Sequence, residues 1–553
     1  MAILRREVLS VMAEVTDWQF ADVFEAIAGV VPDRPAVLYG DQVVSWQSLD
    51  RRSNSLAHHM AEAGLTSQSK VAVFMPNRPE YVEAYHAAHK ISAWPFNVNY
   101  RYGADEIAYL IENADTEAVV FDTRFLDVVE VVRPRFPEIK RWYAVGDVCP
   151  DWATSYESVV ADERVEAPAG PDGRSGTDVV LQYTGGTTGM PKGVMWQNKD
   201  LFHTMGGGGS VLRGIPAPDT MAELAAGVAA RSAGPVVMLA CPLMHATAIS
   251  NMYSTLIIGG TVVLLPGEKF DAAGLWDTVD RTRTDTLVIV GDAFARPLLA
   301  ELDANPGRWS LDSLSVISSA GVMWSREVKE GLFGHLRDDA MLIDVFGSSE
   351  AAAMGSSVSK KGDVAETASF MVGPLAQVLS ESGGFVEPGS GEVGLAAFGG
   401  PMPVGYYNDE KKTAETFRVV DGKRWSVPGD YATVEVDGSM KLLGRGSVCI
   451  NTGGEKVFVE EVEEVLKLHA SVRDAVCVGI PNERFGETVC AIVELQDAGQ
   501  PLDREDVIAH VKKKLAGYKS PRDVVVVATI GRAPSGKVDY KMLRALACSE
   551  LGA

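Results

Sequence analysis

Cysteine is scarce, with six in 553 residues. Cys149, Cys241, Cys449, Cys477, Cys490 and Cys548 include no CxxC pair and no Cys/His set at metal-ligand spacing, which excludes a disulfide scaffold and a zinc site. A reducing, cytoplasmic setting is the expectation. Positive charge is also short: 51 Lys and Arg against 74 Asp and Glu leave a net charge of −23, a field that repels nucleic-acid backbones. Residues 1–7 carry charge where a secretion signal needs an apolar stretch, so none is expected. Internal repeats and sustained heptads are missing too. Residues 232–267 contain no Asp, Glu, Lys or Arg, and a membrane span needs only ~20 apolar residues. Pro242, His245, Asn251 and Gly259-Gly260 nevertheless cut that stretch into runs at 236–241, 250–258 and 261–265. The pattern predicts strand, helix, strand rather than a transmembrane segment.

Hydrophobic residues make up 46% and charged residues 23% of the chain, the balance of a folded enzyme-sized protein of three or four units. Short β-branched runs at 70–75, 117–121, 236–241, 261–265, 286–290, 313–318 and 341–346 alternate with helix-length segments. Such runs read as parallel strands buried on both faces, hence an α/β body. Between about 373 and 443 the texture changes to closely spaced Gly turns, which predicts an antiparallel sheet or small barrel. From about 446 strand and helix alternate again. The joint at Arg445-Gly446-Ser447 divides the chain into 1–445 and 446–553, and nearly all the net negative charge lies before it. Gly206–Gly209 and the Ala-rich 216–230 are compositionally biased and predict a flexible surface insertion.

The most informative string is Tyr183-Thr184-Gly185-Gly186-Thr187-Thr188-Gly189-Met190-Pro191-Lys192-Gly193. Its glycines let backbone N–H groups approach a ligand, its threonines add hydroxyl donors and Lys192 adds charge, which together suit a polyphosphate. It does not match the P-loop pattern. Residues 531–537 do match GxxxxGK, but Val538 stands where the metal-binding Ser or Thr would be, and 15 residues are too few for the sheet such a loop needs.

This string, Phe346-Gly347-Ser348-Ser349-Glu350, Pro428-Gly429-Asp430, Gly444-Arg445 and Pro534-Ser535-Gly536-Lys537 stand in the order and spacing of the adenylate-forming superfamily. The likeness runs from about Phe20 to Leu546. Within the superfamily the chain most resembles bacterial fatty-acyl and steroid-side-chain CoA ligases, through 183–196, 291–297, 347–350 and 444–448. The resemblance implies a large N-terminal domain of two doubly wound sheets plus a small β-barrel, followed by a small mobile α+β domain. It implies an ATP-dependent acyl-CoA ligase that adenylates a carboxylic acid and then transfers the acyl group to coenzyme A. Lys537 would neutralise charge at the α-phosphate; Glu350, with Thr184, would hold Mg²⁺; His245 would sit beside the acyl carboxylate. Thr184, Gly185, Gly186, Thr187, Thr188, Gly189, Lys192 and Ser349 would contact ATP, Asp430 and Arg445 its ribose, and Gly453 and Gly454 would line the pantetheine arm. An acyl-AMP ligase serving a separate carrier protein is the alternative, and a homo-oligomer is compatible with either.

Three departures from the family pattern stand out: Pro428 replaces a usual Thr, Ser447 replaces a usual Asp or Lys at the hinge, and Ser318-Ser319-Ala320-Gly321 is looser than Gly-Gly-Ala-Pro. Amino-acid-activating relatives carry Asp where this chain has Ala246, so amino acids are poor candidates. Small residues at Gly207, Ala246, Ala248 and Gly321 predict a wide apolar pocket. A steroid side-chain acid is expected first, and medium or long fatty acids second.

Overall fold

A computed structural model describes residues 17–552 except 169–172, 185–189, 268–269, 323, 446–448, 453–454, 483–484, 498, 500 and 533–537; for Arg445, Asn451, Glu455 and Lys456 it describes the backbone alone. The β-branched runs form the strands of two large sheets. One has eight strands, in the order Gly405–Tyr406, Lys192–Gln197, Val179–Thr184, Trp94–Asn97, Lys70–Phe74, Thr116–Asp122, Arg141–Val145 and Thr154–Ser155. Its members are parallel except Lys192–Gln197 and Gly405–Tyr406, which run against their neighbours.

The other large sheet holds Pro35–Tyr39, Thr261–Leu264, Val236–Leu239, Thr286–Ile289, Val316–Ala320 and Met341–Ser348 side by side and parallel. It turns antiparallel at Ala351–Ser359, then continues through Ser369–Val372 into Met440–Arg445, Asp430–Val434 and Gly394–Phe398. The β-rich region expected from the Gly turns is therefore antiparallel and joined edge to edge with the parallel strands. A third sheet of five strands, built around Val472–Asn482 and Gly486–Leu495, forms the smaller C-terminal part with the helices Val459–Lys467, Arg504–Lys514 and Tyr540–Leu551.

The helix Pro79–Lys90 is buried at every residue but Glu80, because it touches Pro35–Tyr39 of one large sheet and Lys70–Phe74 and Trp94–Asn97 of the other. Its polar residues are paired rather than dry: Lys90 reaches Glu25 and Asp50 at 2.7 Å each, and Arg52 reaches Glu83 at 2.8 Å.

The uncharged stretch at 232–267 folds as the strand Val236–Leu239, the helix Ala246–Leu256 and the strand Thr261–Leu264. The helix begins four residues earlier than the apolar run suggests, because His245, in extended conformation, serves as N-cap. Among the described residues no helix is long and apolar enough to cross a membrane. The insertion expected to be flexible contains an ordered helix, Met221–Ala230. Thr220 caps it, and it packs on the helix Phe20–Val30 through the buried Leu224 and Val228.

Candidate active site

The glycine-threonine string is the turn of a hairpin. Val179–Thr184 pairs antiparallel with Lys192–Gln197, and Thr184 stands directly opposite Lys192 at the end where the two strands are connected. Gly185, Gly186, Thr187, Thr188 and Gly189 lie outside the described residues, yet this register fixes where their loop starts and returns. Gly193 has no room for a side chain, since a Cβ there would stand 2.8 Å from Leu181 Cδ1 and 3.0 Å from the Tyr183 ring. The Lys192 ammonium pairs with Asp409, whose carboxyl it holds below the usual carboxylate range.

Glu350 occupies a two-residue turn between Met341–Ser348 and Ala351–Ser359, where Ser348 stands opposite Ala351. Gly347 permits the turn, because a Cβ there would lie 2.4 Å from the Ala352 carbonyl oxygen. Trp196 Nε1 donates to the Ser349 carbonyl at 2.8 Å, which ties the turn to the hairpin strand. Ser426 Oγ donates to the Glu350 carbonyl at 2.8 Å, and the Tyr406 hydroxyl donates to Glu350 Oε1 at 2.7 Å. The structure thus ties the Ser349–Glu350 turn, through Trp196, to the strand that begins at Lys192 and stands opposite Thr184.

Asp430 and Arg445 face each other across the antiparallel pair Asp430–Val434 and Met440–Arg445. Gly429, with φ +104°, makes the bend that delivers Asp430. Ser426, four residues before Asp430, is the group that touches the Glu350 carbonyl, so this sheet end lies beside the Glu350 turn.

Two side-chain amides, the half-buried Asn77 and the buried Asn97, hold the backbone that leads to His245. Asn77 accepts from Leu243 N at 2.6 Å and donates to the Cys241 carbonyl at 3.0 Å. Asn97 accepts from Tyr183 N at 2.9 Å and donates to the Tyr183 and Met244 carbonyls at 2.9 and 2.7 Å. His245 is therefore held one residue beyond a clamp that also grips the hairpin strand, and it starts the helix that presents Ala246. Gly321, with φ +88°, ends the strand Val316–Ala320 beside that helix: a Cβ on it would come 3.8 Å from Thr247 Oγ1. Ala248 lies fully buried in the core beneath.

Gly207 is not among the neighbours found there. Gly206, Gly207 and Gly208 have φ of +103°, +59° and +79°, and the nearest atoms to a Cβ on Gly207 and Gly208 belong to Phe202, His203, Pro218 and Leu224. Backbone conformation accounts for these glycines. Lys537, Gly453 and Gly454 lie outside the described residues, as does the Arg445 side chain. Sequence reasoning missed Asn77, Asn97, Tyr406, Asp409 and Ser426. No local pattern marks them, because each acts on a group tens to hundreds of residues away.

A family model for the AMP-binding enzyme matches residues 24–407, and one for the AMP-binding enzyme C-terminal domain matches 461–537. The chain is 38% identical over 531 residues to the 3-oxocholest-4-en-26-oate–CoA ligase of Rhodococcus rhodochrous, covering 94% of each. It is 39% identical over 538 residues to a medium/long-chain-fatty-acid–CoA/3-oxocholest-4-en-26-oate–CoA ligase of Mycolicibacterium smegmatis, covering 94% of this chain and 95% of that one. In fold it is similar to an anthranilate CoA ligase bound to anthranoyl-AMP, with a TM-score of 0.82 at 20% identity, covering 97% and 98% of the two chains. A benzoate CoA ligase from Burkholderia xenovorans gives a TM-score of 0.78 at 21% identity, covering 95% and 100%.

Proposed function

The chain belongs to the AMP-binding enzyme family and is an AMP-forming acid–CoA ligase, and on that premise we propose that its acid is a bulky apolar one and that the residues gathered above carry the two half-reactions. In the first, a carboxylate oxygen attacks the α-phosphorus of ATP and pyrophosphate leaves; in the second, the thiol of coenzyme A attacks the acyl carbon and AMP leaves. Both ask the protein chiefly to position anions and offset their charge.

The observation that supports the reading is that the Ser349–Glu350 turn is tied by Trp196, Tyr406 and Ser426 to the strand pair in which Thr184 stands opposite Lys192. Lys192 would exchange Asp409 for phosphate oxygens. Asp430 accepts hydrogen bonds from the ribose hydroxyls, assisted by Arg445, and Ser349 lies against the nucleotide. His245 orients the acyl carboxylate, Lys537 offsets the charge that grows on the α-phosphate, and Gly453 and Gly454 give the pantetheine arm a path.

Mg²⁺ fits the donor set. Glu350 supplies hard oxygens, and among the described residues its Oε2 takes no hydrogen bond. No three His, Cys, Asp or Glu side chains converge on a metal site among those residues, so a cation would draw most of its ligands from ATP. Glu350 and Thr184 would hold it, and when bound it would neutralise phosphate charge.

For the acid, support comes from relatives named for 3-oxocholest-4-en-26-oate and medium- or long-chain fatty acids. The missing charge at 232–267 and the small side chain of Ala246 beside His245 point the same way. Gly321 belongs to this proposed pocket by position, and Ala248, packed in the core, and Gly207 by resemblance alone. A reducing cytoplasm is the proposed setting. The test is AMP release, with and without CoA, across acetate, octanoate, palmitate, an aryl acid and a steroid side-chain acid. CoA-dependent release with the steroid acid or octanoate and palmitate well above acetate is expected. Preference for acetate, or pyrophosphate release that CoA never carries on to AMP, would refute it.

A further inference from the structure

Glu350 sits on a turn of only two residues, where a carboxylate has several rotamers open to it. One side chain sets its direction among the described residues: the Tyr406 hydroxyl, 2.7 Å from Oε1. Tyr406 is itself fixed. Its ring is 6% exposed and packs on Phe417 with centroids 6.0 Å apart, and its backbone N–H donates to Thr413 Oγ1 at 2.9 Å. Its two-residue strand pairs with Lys192–Gln197, Tyr406 opposite Val194 and Gly405 opposite Met195. The next residue continues the attachment, with Tyr407 N donating to the Gly193 carbonyl at 2.8 Å. Gly405 is required for this close approach, since a Cβ would stand 2.5 Å from Thr413 Cγ2.

From this geometry we propose that Tyr406 is a positioning residue for the metal-binding carboxylate: it references Glu350 to the phosphate-binding hairpin, so that Oε2 and the hairpin open to the same Mg²⁺–triphosphate. The hydroxyl occupies one carboxylate oxygen and leaves the other to the cation. It donates no proton to substrate and touches none of the reacting atoms. The proposal rests on the reading of Glu350 as a metal ligand. Outer hydrogen-bond partners of this kind typically alter metal affinity by about 10- to 100-fold.

Tyr406→Phe keeps the ring and removes only the hydroxyl, and Glu350→Gln reports on the ligand itself. Three quantities are measured on the full chain: Mn²⁺ binding in the presence of α,β-methylene-ATP, followed by electron paramagnetic resonance; the Mg²⁺ activation constant for pyrophosphate release; and thioester formation from supplied acyl-adenylate and CoA. Tyr406→Phe is expected to weaken Mn²⁺ binding and raise the Mg²⁺ activation constant by about 10-fold or more, with the thioester step and the KM for the acid unmoved. Should Glu350→Gln weaken Mn²⁺ binding while Tyr406→Phe leaves it unchanged, the positioning role is overturned and the metal ligand stands. If neither variant changes Mn²⁺ binding, the ligand reading falls and this inference with it. Equal losses in both half-reactions for Tyr406→Phe overturn the proposal in favour of plain packing.

Discussion

Lys329 and Asp344 meet in an ion pair almost without water, their side chains 1% and 12% exposed. The Lys329 ammonium also lies 5.3 Å from the centre of the Trp324 ring. Burial raises the Asp344 carboxyl and Lys329 pulls it only part of the way back, leaving it at about 6, so desolvation outweighs attraction at this residue. Asp344 belongs to Met341–Ser348, the strand that ends in the Glu350 turn, and Lys329 belongs to the helix Arg326–Phe333. Replacing Lys329 by Met removes the attraction and keeps the desolvation, which drives the carboxyl further up. Above that raised pKa the variant buries an uncompensated charge, at a cost of about 3–5 kcal/mol; as pH falls below it the folded chain holds the proton more tightly than the unfolded one, so the penalty shrinks steadily and is gone only below the ordinary carboxylate range. Urea unfolding of Lys329→Met against wild type should therefore show a much larger loss at pH 8 than at pH 5. Equal losses at the two pH values would mean that packing, not charge, holds this contact.

At the scale of elements, Asn97 decides how two of them meet. Only 2% exposed, at the end of Trp94–Asn97, it grips Tyr183 in the first strand of the hairpin and the residue before His245 with a single amide. Asn97→Ala would strand a buried N–H and two buried carbonyls, and leaving such groups unsatisfied costs about 1–3 kcal/mol each. The expected outcome is a lower urea midpoint together with a pyrophosphate-release rate reduced beyond what the fraction folded explains. An unchanged rate per folded molecule would separate the clamp from the chemistry. Asn97 also shows where sequence stops being legible. The strands around it were readable because burial on both faces forces continuous β-branched runs, and the glycines of the hairpin because the backbone must approach a ligand. The start of the helix Ala246–Leu256 was displaced by a cap that no apolar period reveals. The partners of Asn97, Glu350 and Lys192 were unreadable, since they are fixed by sheet order, which brings together residues 86, 56 and 217 positions apart. Gly207 shows a different limit: a glycine that suits a left-handed backbone, φ +59°, looks in sequence the same as one that leaves room for a ligand.

For the molecule as a whole, the question is how one small C-terminal unit serves two reactions. The proposed roles place Lys537, needed while pyrophosphate leaves, and Gly453-Gly454, needed while CoA enters, on the same unit beyond Arg445. Described contacts across the joint are local: the Tyr431 and Phe458 rings lie 5.4 Å apart, and Gly444, with φ +115°, leaves space that the Glu460 carboxylate fills, 1.9 Å from where a Cβ would stand. A unit that turned about the joint near Arg445 would present first one loop and then the other to a single acyl-phosphate site. If it does, the two half-reactions should fail separately. Lys537→Ala should abolish pyrophosphate release yet form thioester from supplied acyl-adenylate, because its charge matters only while the α-phosphate is attacked. Gly453→Leu should do the reverse, since added bulk obstructs a thin ligand without touching ATP. Parallel loss of both steps in either variant would contradict alternating presentation, and would require both loops to face the reaction centre together.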